Sequence, residues 1–246
     1  MRLYDEIIHD ILTFLGEQDA HILPVGAAAD PVSRDWQDAG KAMMILQSDM
    51  AYELGGHNLP AVGNTLVTTG KDFVPEDEII LIGKDLPEIT EDTPYARIAL
   101  VRVAEDSIGT GDRLYNTIRN IGYFRYHIYP KGFMLRVSSS NDRESVRVEA
   151  EALNEGLNFT AIGNAMLRAL HLHKEVEAVR IIFVTDPKVD YGRLQDGLKK
   201  TKQITATIDH MLKDVNMDCG SCGLQEICDE IEGLREMHFG MSEEHT

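Results

Sequence analysis

The run Val179-Arg180-Ile181-Ile182-Phe183-Val184-Thr185, stopped by Asp186-Pro187, admits few settings in a folded chain. Aliphatic and aromatic side chains at almost every position describe a strand covered on both faces, and helices packed on a sheet supply that cover. The flanks agree. Ahead of the run, Ala161 to His171 puts Ile162, Ala165, Met166 and Leu170 on one helical face, with Thr160 as the expected N-cap. Behind it, Gly192 to Leu212 repeats Leu194, Leu198, Ile204, Ile208 and Leu212 at helical spacing. Helix, buried strand and helix in succession predict an α/β (α+β) architecture, a mixed sheet with helices on its faces.

Two further strands are expected at Glu78 to Gly83, through Ile79-Ile80-Leu81-Ile82, and at Ala96 to Ala104, around Ile98, Leu100, Val101 and Val103. Residues 3 to 15 carry apolar Leu3, Ile7, Ile8, Ile11, Leu12 and Leu15 at helical period and stop at Gly16. Asp112 to Gly122 reads as a helix. Phe124 to Tyr129 and Phe133 to Val137 read as the two strands of a hairpin about Pro130-Lys131-Gly132. Ser145 to Leu153 fits either a strand or the start of a helix. Asp19 to Asp38 reads as irregular, and the single tryptophan, Trp36, as a core or interface anchor. In Ala51 to Pro60 the paired Gly55 and Gly56 allow a tight turn or a close approach to a ligand, without the G-x-G-x-x-G spacing of a dinucleotide site. These shifts divide the chain into a helix and loop-rich region at 1–75, an α/β domain at 76–212, and a short cysteine-containing segment with an acidic tail at 213–246.

Charge narrows the partners. A formal net charge of −17, with no Lys/Arg-rich stripe interleaved with aromatics, argues against nucleic acid and against anionic lipid. Acids stand at the N-terminus where a secretory signal would be basic, and no apolar run approaches the roughly 20 residues of a membrane span. A cytoplasmic location is expected, and the odd cysteine count fits a reducing compartment.

The chain's three cysteines fall together as Cys219-Gly-Ser-Cys222-Gly-Leu-Gln-Glu-Ile-Cys228. Thiolates two residues apart present both sulfurs to one centre, Gly220 and Gly223 ease the turn, and Cys228 can close the same site. Soft sulfur donors suit an iron–sulfur cluster, zinc or cuprous copper. A tetrahedral zinc site would need a fourth ligand, for which His238 and His245 are the nearest imidazoles. A cubane cluster held by three cysteines leaves one iron open to a substrate or an outside ligand. A redox pair at Cys219 and Cys222, or plain reduced thiols, are the alternatives. Asp209 with His210, and His171 with His173, are further candidate ligands that equally suit solvated helix ends. Arg119, Arg125, Lys131 and Arg136 gather in sequence around the aromatic hairpin, as phosphate contacts for a nucleotide-like cofactor such as coenzyme A or as ordinary surface pairs with acids. Asp229 to Glu236, with Ile231 and Leu234, reads as a short helix that lies over the cysteines or docks on a partner, or as a solvated terminus.

Glu53-Leu54-Gly55-Gly56, Glu78-Ile79-Ile80-Leu81-Ile82-Gly83-Lys84-Asp85-Leu86, Ala161-Ile162-Gly163-Asn164 and Phe183-Val184-Thr185-Asp186-Pro187-Lys188-Val189, in that order and followed by the cysteines, resemble the beta subunit of the carbon monoxide dehydrogenase/acetyl-CoA synthase (acetyl-CoA decarbonylase/synthase) complex. The resemblance covers about two thirds of the chain. It implies that 76–212 is the family's middle α/β domain and that Cys219, Cys222 and Cys228 match the start of its nickel–iron–sulfur centre, with an iron–sulfur cluster, as [4Fe-4S], as cofactor and zinc or nickel as lesser candidates. In the family a fourth cysteine and a later Cys-Gly-Cys element complete that centre. With three cysteines here, the resemblance implies an accessory or cluster-bearing component of anaerobic CO and one-carbon metabolism that lacks the complete nickel site, with dehydrogenase/synthase or corrinoid proteins as partners. Whether such a chain is itself an enzyme stays open. The alternatives are an iron–sulfur enzyme or electron-transfer protein with a three-cysteine cluster, and a scaffold stapled by structural zinc.

Overall fold

The structure is a computed structural model that describes residues 3–26, 37–38, 44–105, 112–129, 131–138 and 143–213. In chain order the elements are α1 (Asp5–Gly16), β1 (Ala20–Leu23), β2 (Gln37–Asp38), β3 (Met50–Leu54), β4 (Ala61–Thr68) and β5 (Glu78–Ile82), then a 3-10 turn at Leu86–Glu88. There follow β6 (Tyr95–Val103), α2 (Asp112–His127), β7 (Ile128–Tyr129), β8 (Phe133–Val137), β9 (Glu144–Glu149), α3 (Ala150–Asn154), α4 (Phe159–Leu170), β10 (Val176–Val184) and α5 (Tyr191–Lys213).

The fold is mixed α/β. Five strands form one sheet in the order β1-β5-β10-β6-β4. The apolar run identified in the sequence is its middle strand: β10 pairs parallel with β5 and antiparallel with β6. At the flanks, β1 runs antiparallel to β5 and β4 parallel to β6. A second, antiparallel sheet has the order β3-β9-β8, and β2 and β7 form a two-residue ladder. β1 and β4, from the first 75 residues, therefore share a sheet with β5, β6 and β10.

Packing follows from the apolar periods. α1 buries Ile7, Ile8, Ile11, Phe14 and Leu15, and its first turn carries Asp5 and Glu6, where the helix dipole favours acids. α1 and α5 lie together: the Tyr4 hydroxyl and Thr205 Oγ1 are hydrogen-bonded at 2.8 Å, and the Arg193 guanidinium sits 4.5 Å over the Phe14 ring. On α4, Phe159 stacks on Phe183 of β10 at 4.5 Å and meets Phe133 of β8 edge-on at 6.3 Å, so one aromatic column ties the two larger sheets through a helix.

Some expectations need correction. The chain from Phe124 to His127 continues α2, and only Ile128–Tyr129 is extended, pairing with β2. Nothing between Gly122 and Pro130 breaks a helix, whereas β8 finds a better partner in β9, where Phe133 faces Val148 and Leu135 faces Val146 on one buried face. Residues 145–153 hold both proposed states in turn, β9 and then α3. The N-cap of α4 is Asn158, whose side chain accepts from the Ala161 N–H at 2.8 Å, and Thr160 lies inside the helix. β1 and β4 were not expected. β4 is interrupted by Gly63 and Asn64, poor strand formers that hide its period.

Candidate functional site

Glu53 ends β3 as a buried carboxylate, 5% exposed, and pairs with Arg136 and with Arg147 at 3.4 Å. Its backbone N–H donates to Asp92 Oδ1 at 2.7 Å. The chain then folds back sharply. Gly55 has φ +64 and a Cβ there would lie 2.5 Å from that of Ala61, while His57, also left-handed at φ 51, follows within two residues. Arg143 fastens the bend: its Nη2 donates to the carbonyls of Gly55, His57 and Leu59, each at 2.9 Å. The paired glycines are thus the apex of an arginine-clamped turn beside a polar cleft of about 320 Å³ reached by Arg136, Ser138 and Ser145.

Beneath this turn lies an ion pair sealed from solvent. Arg97 Nε and Nη2 donate to the two oxygens of Glu144 at 2.5 and 2.7 Å, with both side chains 0% exposed. Arg97 Nη1 also donates to the Asn64 carbonyl and Thr65 Oγ1 at 3.3 Å. Any Cβ on Gly63 would overlap the Glu144 carboxylate, so glycine in β4 is what lets β9 bring that carboxylate in. Nearby, burial and then the Glu144 charge hold the Tyr95 phenol well above its ordinary pKa, and its hydroxyl has no hydrogen-bond partner among the described residues.

The motif at the end of β5 joins β5 to β10. Gly83 has φ +108 and a Cβ there would press on the Asp186 backbone, whose N–H, like that of Thr185, donates to the Ile82 carbonyl. Thr185 Oγ1 donates to the Lys84 carbonyl at 2.8 Å. Asp85 accepts from the N–H groups of Leu86 and Phe159 at 2.6 and 2.8 Å. Burial raises its pKa against those two bonds. Tyr52 donates to the Leu86 carbonyl at 2.6 Å, with its phenol pKa raised by burial and then by Asp85. In Ala161-Ile162-Gly163-Asn164, Gly163 allows α4 to approach Ile79, whose side chain would lie 2.7 Å from an added Cβ. Asn164 accepts from Gly26 N–H and donates to Pro24 and Thr160 carbonyls. Three of the four sequence motifs therefore act as joints of the fold, and the Glu53 turn borders a cleft.

A larger cleft, about 570 Å³, opens between β4, α2 and α5. Its floor holds Asn64, whose Nδ2 donates to Thr201 Oγ1 at 2.8 Å, and Thr65. Arg119, Lys199 and Lys202 stand on its walls, and Lys199 also meets Asp196 at 2.7 Å.

The expected basic group is not one cluster: Arg119 borders the larger cleft, Arg136 pairs with Glu53 at the smaller one, and Lys131 lies 3.9 Å from Glu155. The Arg125 side chain lies outside the described residues. His171 is held by Asp77 at 2.9 Å, and Asp77 also accepts from the Val179 N–H at 2.8 Å, an arrangement that fixes the end of α4 to β10. Asp209 and His210 belong to the last turns of α5, with side chains outside the description. Cys219, Cys222, Cys228, His238, His245, Trp36 and the 229–236 tail also lie outside the described residues. Among those described, no group of three or more His, Cys, Asp or Glu is arranged to hold a metal ion, and no helix is long and apolar enough to cross a membrane. Sequence reasoning missed Arg97, Glu144, Asn64 and Lys199, since nothing local distinguishes them from exposed polar residues.

A search of curated proteins returns no match. A family model described as the CO dehydrogenase/acetyl-CoA synthase complex beta subunit matches residues 37–189, which run from β2 to the loop ahead of α5 and contain all four motifs. Because that match spans more than half of the sequence, the chain belongs to the CO dehydrogenase/acetyl-CoA synthase complex beta subunit family.

Proposed function

We propose that this chain is an accessory component of a CO dehydrogenase/acetyl-CoA synthase complex, bearing an iron–sulfur cluster on Cys219, Cys222 and Cys228. The observation that carries the reading is the family match over 37–189, with the cysteines following beyond it. The donor set fits the group: three thiolates in C-x2-C-x5-C order, with Gly220 and Gly223 between them, suit a soft iron–sulfur centre better than a hard cation. α5 supports the division of labour. It packs on α1 through Tyr4 and Thr205 and ends at Lys213, ahead of the cysteines in the chain. When bound, the cluster supplies electron transfer or an open iron position. The chain's own residues hold and orient it, and the remaining subunits or a corrinoid protein are the partners. The setting is a reducing, anaerobic cytoplasm, where thiolates persist.

Purification of the full chain without oxygen tests the reading. A broad visible absorption that dithionite bleaches is expected. A colourless protein whose spectrum dithionite leaves unchanged contradicts it.

A further inference from the structure

We propose that the small cleft beside the Glu53 turn binds a 2-hydroxycarboxylate, its carboxylate held by Arg136 and Arg143 and its hydroxyl donating to Glu53. One oxygen carries the inference. Glu53 is 5% exposed and lines the cleft, and its Oε1 accepts from both Arg136 and Arg147, so Oε2 has no hydrogen-bond partner among the described residues. A buried carboxylate oxygen without a donor is costly, and at a cleft wall a ligand can supply that donor. Gly56 leaves the room. Its φ is not left-handed, and a Cβ there would come within 2.5 Å of that oxygen, so glycine at 56 answers to space and not to backbone conformation.

The two guanidiniums on the cleft are only partly engaged. Arg143 spends Nη2 on the carbonyls of Gly55, His57 and Leu59, and Arg136 spends Nη1 on Glu53. Among the described residues, the Nε and the other Nη of each make no hydrogen bond. A guanidinium presents five N–H groups in a rigid fork, so the edge left over still matches a planar carboxylate. Charge sets the valence. Around the turn Arg136, Arg143 and Arg147 outnumber the carboxylates of Glu53 and Asp92 by one, with His57 neutral, and a singly charged anion restores the balance. A cleft of about 320 Å³ stands at the small end of ligand sites. A hydroxyl next to the carboxylate places donor and acceptor close together, as Glu53 Oε2 and the arginine forks require. The proposal is independent of the cluster reading, because none of these residues belongs to 213–246.

Calorimetric titration of the full chain with glycolate, acetate, methoxyacetate and glycine tests it. Glycolate should bind at about millimolar strength or tighter. Acetate, which lacks the hydroxyl, and methoxyacetate, whose ether oxygen cannot donate, should each bind roughly tenfold more weakly or worse. Glycine should also bind more weakly than glycolate, since its ammonium brings a positive charge to a site already in excess of them. Arg136→Met should weaken glycolate about tenfold or more. Glu53 keeps Arg147 in that variant, so it should fold, and circular dichroism checks it. Lys188→Met, which removes a charge at an exposed position away from the cleft, should bind as the parent does. Absence of glycolate binding, equal binding of glycolate and acetate, tighter binding of glycine, or unchanged binding in a folded Arg136→Met overturns the proposal.

Discussion

Arg97 and Glu144 are 47 positions apart in sequence and form a two-bond ion pair, at 2.5 and 2.7 Å, with neither side chain exposed. Arg97 belongs to β6 of the five-stranded sheet and Glu144 to β9 of the three-stranded one, so this contact is a polar joint between the two sheets.

Removing one partner strands the other charge in a site sealed from solvent. Arg97→Met or Glu144→Leu alone should cost about 3–5 kcal/mol, whereas the double variant should recover most of that loss. Urea unfolding of the four proteins gives the cycle, and single losses below about 1 kcal/mol would contradict burial of an intact pair.

Tyr95 carries a buried hydroxyl with no partner among the described residues. Tyr95→Phe deletes an unsatisfied group and little volume, so it should be neutral or stabilising by about 1 kcal/mol. A marked loss of stability in the same urea assay would mean that the hydroxyl is bonded.

Burial, opposed by the hydrogen bond with Thr205, pushes the Tyr4 phenol up to about 12. Below the ordinary value of about 10 both folded and unfolded chains keep the proton, so stability does not respond. Between about 10 and 12 the unfolded chain releases it while the folded chain holds it, and the native state should lose about 3 kcal/mol. Unfolding midpoints measured upward from pH 9 should fall less steeply in Tyr4→Phe; identical slopes would contradict the assignment.

Cys219→Ser and Cys222→Ser should abolish iron retention and leave the far-ultraviolet circular dichroism of the core unchanged, because the apolar core among the described residues is built from Leu3 to Ile208, ahead of the cysteines in the chain. Loss of the whole fold in either variant would contradict the separation of core and cluster segment.

What the sequence disclosed depended on how local the signal was. β5, β6, β10, α1, α4 and α5 are written as uninterrupted apolar periods and were legible from them. β4 was not, since Gly63, Asn64 and Thr65 answer to Glu144, Thr201 and Arg97 on other elements. The α2 segment from Phe124 to His127 misled because aromatic residues favour strands, while the partner that decides the matter, β9, lies further along the chain. The motifs that carry the family resemblance were visible in order, but their work was not: Gly163 is small because Ile79 lies beneath it, and Gly55 because Ala61 does. Buried Arg97 sits among strand residues with nothing nearby in sequence to name its partner.

Cys219, Cys222 and Cys228 are proposed to hold an iron–sulfur cluster in this family member. Quantitative iron, acid-labile sulfide and zinc analysis of the anaerobically purified full chain tests it most directly. Roughly four iron and four sulfide per chain and little zinc are expected. Stoichiometric zinc without sulfide, or no metal at all, would contradict it and leave the cysteines a structural staple or simple thiols.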